Sequence, residues 1–193
     1  QRIIFNGNGY SGDWVKEAEK RGLSNLRSTA ECMPAYVSDK NIALVTKHGI
    51  FTETEFRARY EIHMDTYCKV IRIEAQTMLE MIRRQILPAA MGFADSLCQG
   101  LANRVRALQP CKAEQKLAKQ LADNIDSLYD AAATLELALD QVPEGDSAAV
   151  AGYYHDVIIT DMEQARGYAD TLETLTAKDR WPFPTYSEIL FYQ

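Results

Sequence analysis

The sequence predicts an all-α fold: an antiparallel bundle of three to four long helices, preceded by a lead-in of short helices and turns. Two observations carry this. From residue 52 onward apolar residues recur at helical spacing in three long runs, each bounded by caps, glycine or proline. Beyond the short strand-like run Ile3-Ile4-Phe5, no stretch shows the alternation or the bounded apolar runs of a sheet, so no sheet beyond a marginal pair is expected. The chain has 193 residues, 47% hydrophobic and 25% charged, enough for a real core in one domain.

The first fifty residues read as three short helices. "DWVKEAEKR" is closed by Gly22, "STAECM" by Pro34 and "DKNIALVTKH" by Gly49. Ser28 with Glu31 forms a capping-box pair, as does Thr52 with Glu55 ahead of the first long run. That run places Phe56, Tyr60, His63, Tyr67, Val70, Met78 and Met81 on one stripe. It should kink or break at Pro88, which lacks an N–H and crowds the preceding turn. Helix then resumes, weakened at Gly92 and Gly100, until Pro110 ends it.

The second long helix spans about residues 111–141. Leu121, Ile125, Leu128, Ala132, Leu135, Leu139 and Val142 form a seam of period 3.5. "VPEGDS" is a short turn, and short connections make antiparallel neighbours. A third helix covers about 148–175, with Val150, Tyr154, Val157/Ile158, Met162, Ala165, Ala169, Leu172 and Leu175 as its stripe. The tail "RWPFPTYSEILFYQ" is held extended by two prolines, its Trp181 and Phe183 seek burial, and Thr185 with Glu188 caps a last short helix. The expected organisation is a lead-in over 1–51 packing on the bundle, the bundle over 52–178 and the tail over 179–193, together one structural domain.

Charge excludes some functions. A net charge of −6 argues against a nucleic-acid binder, which needs a basic footprint. The Arg83-Arg84 pair reads as one solvated helix edge. No run approaches transmembrane length, and the opening residues do not read as a signal peptide. Cys32, Cys68, Cys98 and Cys111 fit no zinc spacing and read as free thiols in a reducing, cytoplasmic compartment.

Gly7-Asn8-Gly9-Tyr10-Ser11-Gly12 is a literal G-x-G-x-x-G after the apolar Ile3-Ile4-Phe5. As a dinucleotide fingerprint it needs a strand before it, a helix and a second parallel strand after it, and an acid about twenty residues on. Glu31 stands near that distance, but no second strand follows. Asn6-Gly7 and Asn8-Gly9 are also turn dipeptides that tolerate positive φ. Ser11 can N-cap a helix whose Trp14 packs it onto the bundle. The motif reads as punctuation.

Other constellations fail on spacing. A di-metal bundle needs Glu-x-x-His on two helices, and no Glu lies three residues before His48, His63 or His155. His63 and Glu74 share a stripe but stand about 16 Å apart by helical rise. Neighbours within Tyr153-Tyr154-His155-Asp156 point different ways and do not converge on one substrate. No catalytic, cofactor-binding or metal residue is expected in this chain.

Three blocks, "RIIFNGNGYSGDWVKEAEKRGLSNLRST", "ETEFRARYEIHMDTYCKVIRIEAQTMLEMIRRQILPAA" and "DRWPFPTYSEILF", closely resemble the C-terminal region of type III glutamine synthetases, large bacterial members of that superfamily. The resemblance covers 2–95 almost continuously and returns at 179–191; across 96–146 it is one of helical character. It implies that the intact enzyme joins ammonia to glutamate with ATP and Mg or Mn, through a γ-glutamyl phosphate. It also implies a twelve-subunit homo-oligomer whose catalytic residues precede those seen here. The start on Gln1 rather than Met fits a piece of a longer protein. Expected partners are the catalytic domain of the same chain and neighbouring subunits, not nucleic acid or membrane. The chain alone is expected to be inactive, with the glycine turn facing the catalytic domain. Two other readings stay open: a regulatory helical module binding a small molecule of nitrogen metabolism, and a free-standing bundle enzyme with a metal site.

Overall fold

A computed structural model describes residues 4–109, 111–184 and 186–191. It is 78% helical, with no strand among the described residues. The chain forms two compact units, Gln1–Tyr67 and Cys68–Gln193, and the division falls inside one long helix.

The first unit holds α1 (Gly12–Lys20), α2 (Thr29–Tyr36), α3 (Asp39–Lys47) and the start of α4 (Glu53–Met81). Local chemistry sets each boundary. Gly22 (φ 66°) and Gly49 (φ 63°) adopt the left-handed conformation that ends α1 and α3. There the Leu23 and Ile50 N–H groups donate back to the Ala18 and Val45 carbonyls, at 2.9 and 3.0 Å. Both capping boxes form. The Glu31 N–H donates to Ser28 Oγ (3.1 Å) while the Ser28 N–H donates to Glu31 Oε2 (3.2 Å). Thr52 and Glu55 exchange the same pair of bonds at 2.8 and 3.2 Å. Pro34 does not stop α2, which runs two residues further to Tyr36. The proline forfeits one backbone bond, and in so short a helix the last turn still closes through Val37 N–H to the Met33 carbonyl. Ala18, Met33, Ile42, Phe56 and Met64 are buried.

Along α4 the expected stripe is displaced. The buried row is Phe56, Met64, Ile71, Ala75 and Leu79; Val70 is 47% exposed and His63 lies in solvent. This helix carries apolar residues on more than one face, so periodicity alone does not choose among rows. The aromatic row gave the stronger pattern, and the row of smaller side chains is the one that packs.

In the second unit Pro88 neither breaks nor ends the helix. A π-turn at Ile82–Ile86 joins α4 to α5 (Leu87–Arg106), with the Leu87 N–H donating to the Ile82 carbonyl. The wider turn accommodates a proline that offers no N–H to the turn before it. α5 ends before Pro110, which lies outside the described residues. Leu108 takes the left-handed conformation (φ 53°), and the Gln109 N–H closes on the Arg104 carbonyl at 2.9 Å. α6 (Lys112–Asp140) packs on α5 and, most extensively, on α8 (Ile159–Leu175). Its seam is as read: Leu121, Leu128 and Leu135 are fully buried, Ile125, Ala132 and Leu139 nearly so, and Val142 half-buried.

The third long helix is interrupted. α7 (Ser147–Tyr153) is N-capped by Asp146, whose Oδ2 accepts from the Ala149 N–H at 3.2 Å. A second π-turn, Tyr154–Ile158, leads into α8, with the Ile159 N–H donating to the Tyr154 carbonyl. No proline accounts for this turn; it brings Tyr154 and Ile158 both into the core, with Ala151, Ala165 and Leu172. A 3₁₀ turn (Lys178–Arg180) and α9 (Tyr186–Leu190) follow; Thr185, the expected cap of α9, lies outside the described residues. Arg83 makes a bidentate ion pair with Glu136 at 2.5 Å, and Arg84 pairs with Glu80 at 2.9 Å, as a solvated edge should. Of the four cysteines, Cys32, Cys68 and Cys111 are half-buried and Cys98 is exposed.

Candidate functional site

The glycine turn comes first because its letters suggest a nucleotide. It is a turn held from within. Asn8 Oδ1 accepts from the Tyr10 N–H (3.0 Å), and the Asn8 carbonyl accepts from both the N–H and the hydroxyl of Ser11 (3.2 and 2.9 Å). Ser11 sits at the N-cap of α1, but its hydroxyl is spent on Asn8 and caps no helical N–H. None of Gly7, Gly9 and Gly12 has positive φ, so the backbone does not demand glycine there on that ground. At Gly9 and Gly12 a Cβ would meet open space, whereas at Gly7 it would meet the Phe5 ring at 2.6 Å. Trp14 packs on Phe5 (4.8 Å between ring centres), and the Arg21 guanidinium lies 5.9 Å from both rings. With no strand beside it among the described residues, the turn lacks there the surroundings that make such a sequence a phosphate cradle.

The titratable constellations separate. His63 and Glu74 are both exposed, so neither is a buried acid or base. His63 meets Tyr36 edge-on at 6.5 Å. In the Tyr153–Asp156 stretch the Tyr153 hydroxyl donates to the Ala138 carbonyl (3.0 Å) and Tyr154 is buried. His155 Nδ1 does reach Asp156 Oδ1, at 2.7 Å, despite their adjacency. This contact is on the surface and includes neither tyrosine. No three of His, Cys, Asp and Glu among the described residues are grouped to hold a metal. No described residues are therefore grouped to hold the divalent metal that the family resemblance implies for the intact enzyme.

Two surface features remain. The first lies in the Gln1–Tyr67 unit. Tyr36 stacks on Phe56 (4.2 Å), Phe56 on Phe51 (5.8 Å), and the Arg59 guanidinium covers Phe51 at 4.6 Å. Beside this stack, Ala58 and Ile62 complete a shallow hollow of about 310 Å³, and Ile62 is 62% exposed. Glu55 edges the hollow. The Thr52 N–H and hydroxyl, and then Arg59, hold its carboxyl below the usual range. The capping box thus also fixes a charge at the rim.

The second lies in the Cys68–Gln193 unit. A groove of about 550 Å³ runs between α4 with its π-turn and α8, and the tail's Trp181 and Phe183 border it. Its floor is Met78, Met81, Met162, Ala165 and Ala169; Glu74, Arg166, Asp170 and Glu173 supply its charge. Trp181 and Phe183 meet edge to face at 6.1 Å, so the tail aromatics find their cover here. Periodicity assigns Met78, Met81 and Met162 to core stripes, and structurally they are the half-buried floor of the groove. A detectable signal was there: carboxylates on the same faces as the groove's apolar residues, Glu74 with Met78 and Glu173 with Ala169, each four residues apart.

The profile of the glutamine synthetase C-terminal domain family matches residues 1–105, more than half of the chain. The chain belongs to this family. A glutamine synthetase of Butyrivibrio fibrisolvens is 38% identical over 99% of the chain, a type-3 glutamine synthetase of Dictyostelium discoideum 33% over 98%, and a glutamine synthetase of Bacteroides fragilis 25% over 98%. The chain spans only 27–28% of the length of these relatives. The glutamine synthetase C-terminal family match ends within α5, where the block resemblance in the sequence also fades, yet the relatives align through α6, α8 and the tail. No helix among the described residues is long and apolar enough to cross a membrane.

Proposed function

We propose that this domain is a non-catalytic, structural part of a type III glutamine synthetase that packs on the enzyme's catalytic domain and on neighbouring subunits. The parent in this reading is a cytoplasmic, bacterial, homo-oligomeric ligase, a dodecamer, that makes glutamine from glutamate and ammonia with ATP and Mg or Mn. The chain contributes no catalytic, cofactor-binding or metal residue. The lead-in over 1–51, the bundle over 52–178 and the tail over 179–193 act as one structural domain of it.

The observation that carries this reading is the aromatic ledge of the first unit. Phe51, Arg59 and Ile62 present a stacked, partly apolar surface, with Ile50 59% exposed beside them in sequence. Aromatic residues and Arg are the side chains enriched where protein surfaces meet. The ledge lies within the stretch matched by the family profile. Phosphoryl transfer from ATP requires metal-held carboxylates and a phosphate clamp converging on one cleft. The acids here are spread along helix faces instead.

The test is made in the intact enzyme. Ile62→Asp should leave the domain folded, since the side chain is already in solvent, while shifting the oligomer to smaller species in sedimentation and lowering activity with it. Removing residues 1–193 should abolish assembly. A truncated enzyme that kept both its oligomer and its rate would sink the proposal. So would saturable ATP binding by the chain, lost on Gly9→Val, a substitution the open space at Gly9 accommodates.

A further inference from the structure

The groove of the Cys68–Gln193 unit is not explained by packing or assembly. Its volume, about 550 Å³, falls within the ~300–1,000 Å³ typical of small-molecule sites. Its floor is apolar and adaptable, because methionine is unbranched and polarizable and reshapes around what it meets. Alanine at 165 and 169 gives depth on the α8 side. Trp181 and Phe183 offer π-faces.

The polar groups then select by charge. Thr77 is spent, its hydroxyl donating to the Ile73 carbonyl at 2.8 Å. Arg166 and Asp170 pair with each other, Nε to Oδ2 at 3.4 Å, and cancel in net charge. Glu74 from α4 and Glu173 from α8 remain, and neither forms an ion pair among the described residues. The groove therefore has an apolar floor and two uncompensated negative charges, one on each helical wall.

We infer that this groove binds a small organic cation, an apolar body against the methionines and Trp181 with an ammonium drawn to the negative charge of Glu74 and Glu173. An anion, nucleotides included, meets net negative charge from the described lining residues. A neutral apolar ligand would strip water from the two carboxylates without giving them a partner. An ammonium gives both a partner and can also lie against an aromatic face. The site is independent of the assembly reading: it uses none of the ledge residues.

Calorimetry on the 193-residue chain tests this with three probes sharing one body: 4-phenylbutylamine, 4-phenylbutanol and 4-phenylbutanoate. The amine should bind saturably and the carboxylate weakest. A unit charge at ~4 Å in water corresponds to about fivefold in affinity, so two carboxylates should favour the amine over the alcohol by about five- to thirtyfold. Glu74→Gln with Glu173→Gln should erase that preference while leaving alcohol binding in place. Ala169→Leu should abolish binding of all three by filling the floor. Both variants alter half-buried or exposed positions, and an unchanged circular dichroism melt confirms that they fold. Equal affinity for amine and carboxylate, an amine preference that survives the double substitution, or no saturation by about 1 mM amine would overturn the inference.

Discussion

Leu128→Ala measures whether the period-3.5 seam of α6 is the mechanical centre of the second unit. Leu128 is fully buried, and α6 packs on α5 to one side and α8 to the other. Helices on both sides limit how far the site can collapse around a deleted side chain. That places the cost toward the upper part of the range for buried leucines, about 3–5 kcal/mol. Alanine is itself the best helix former, so none of the loss reflects helix propensity. At ~2.1 cal/mol/K of unfolding entropy per residue, 1 kcal/mol corresponds to about 4 °C for a unit of this size, so the melting temperature should fall by about 12–20 °C. Urea unfolding followed by far-ultraviolet circular dichroism gives the free energy directly, with an unchanged slope showing that the compactness of the end states is preserved. Leu137→Ala on the same helix is the control: Leu137 is 59% exposed, and its loss should stay within about 0.5 kcal/mol. Comparable losses at both positions would refute the assignment of faces on α6, and a loss below about 1 kcal/mol at Leu128 would refute the seam as core.

Leu108→Gly should raise stability by up to about 1 kcal/mol in the same assay, because Leu108 holds a left-handed φ of 53° while 89% exposed, so the substitution relieves strain and gives up little packing. Thr176→Val should raise it by about 1 kcal/mol or leave it unchanged, since the Thr176 hydroxyl is buried without a hydrogen-bond partner among the described residues. Burial pushes the Asp161 carboxyl above its ordinary value, so the native state keeps a proton that the unfolded chain has lost. Its contribution to stability falls as pH rises from the ordinary aspartate value, about 3.9, through the raised one. Asp161→Asn should flatten that part of the pH–stability curve and exceed the parent above it. Glu136 has the opposite sign: the Arg83 guanidinium holds it low, so Glu136→Gln should remove stability present at neutral pH and lost in acid.

Helix starts and stops were legible wherever one residue type suffices. Ser28, Thr52, Gly22 and Gly49 each act through their own backbone or side chain, within five residues, and each acts as read. The α6 seam was legible because this helix lies between two others and is apolar along one broad stripe. The Gly7–Gly12 stretch is a turn, as its Asn-Gly dipeptides suggest, but the reason differs. Its hydrogen bonds come from Asn8 and Ser11, not from positive φ at the glycines. The two π-turns were not legible. Pro88 announces a disturbance, but a kink, a break and a widened turn relieve the same missing N–H, and the choice rests on which residues the neighbouring helices cover. Tyr154–Ile158 has no such marker.

The groove shows why a functional surface hides in a helical sequence. Met78 and Met162 occupy positions that satisfy a core stripe, and a period analysis counts them as core. Whether they are covered depends on a partner chosen by shape. The row of α4 that packs runs through Ile71, Ala75 and Leu79, leaving Glu74 and Met78 turned to one side of it. On α8 the small Ala165 and Ala169 hold the facing wall back. Among the described residues the tail reaches the gap, and Pro182 and Pro184 have their φ already fixed, which reduces the entropy lost in bringing Trp181 and Phe183 there. A stripe read from one helix specifies how much apolar surface exists. The offset between two such stripes decides whether that surface becomes core or binding site, and offset is a property of pairs of helices that no single-helix period contains.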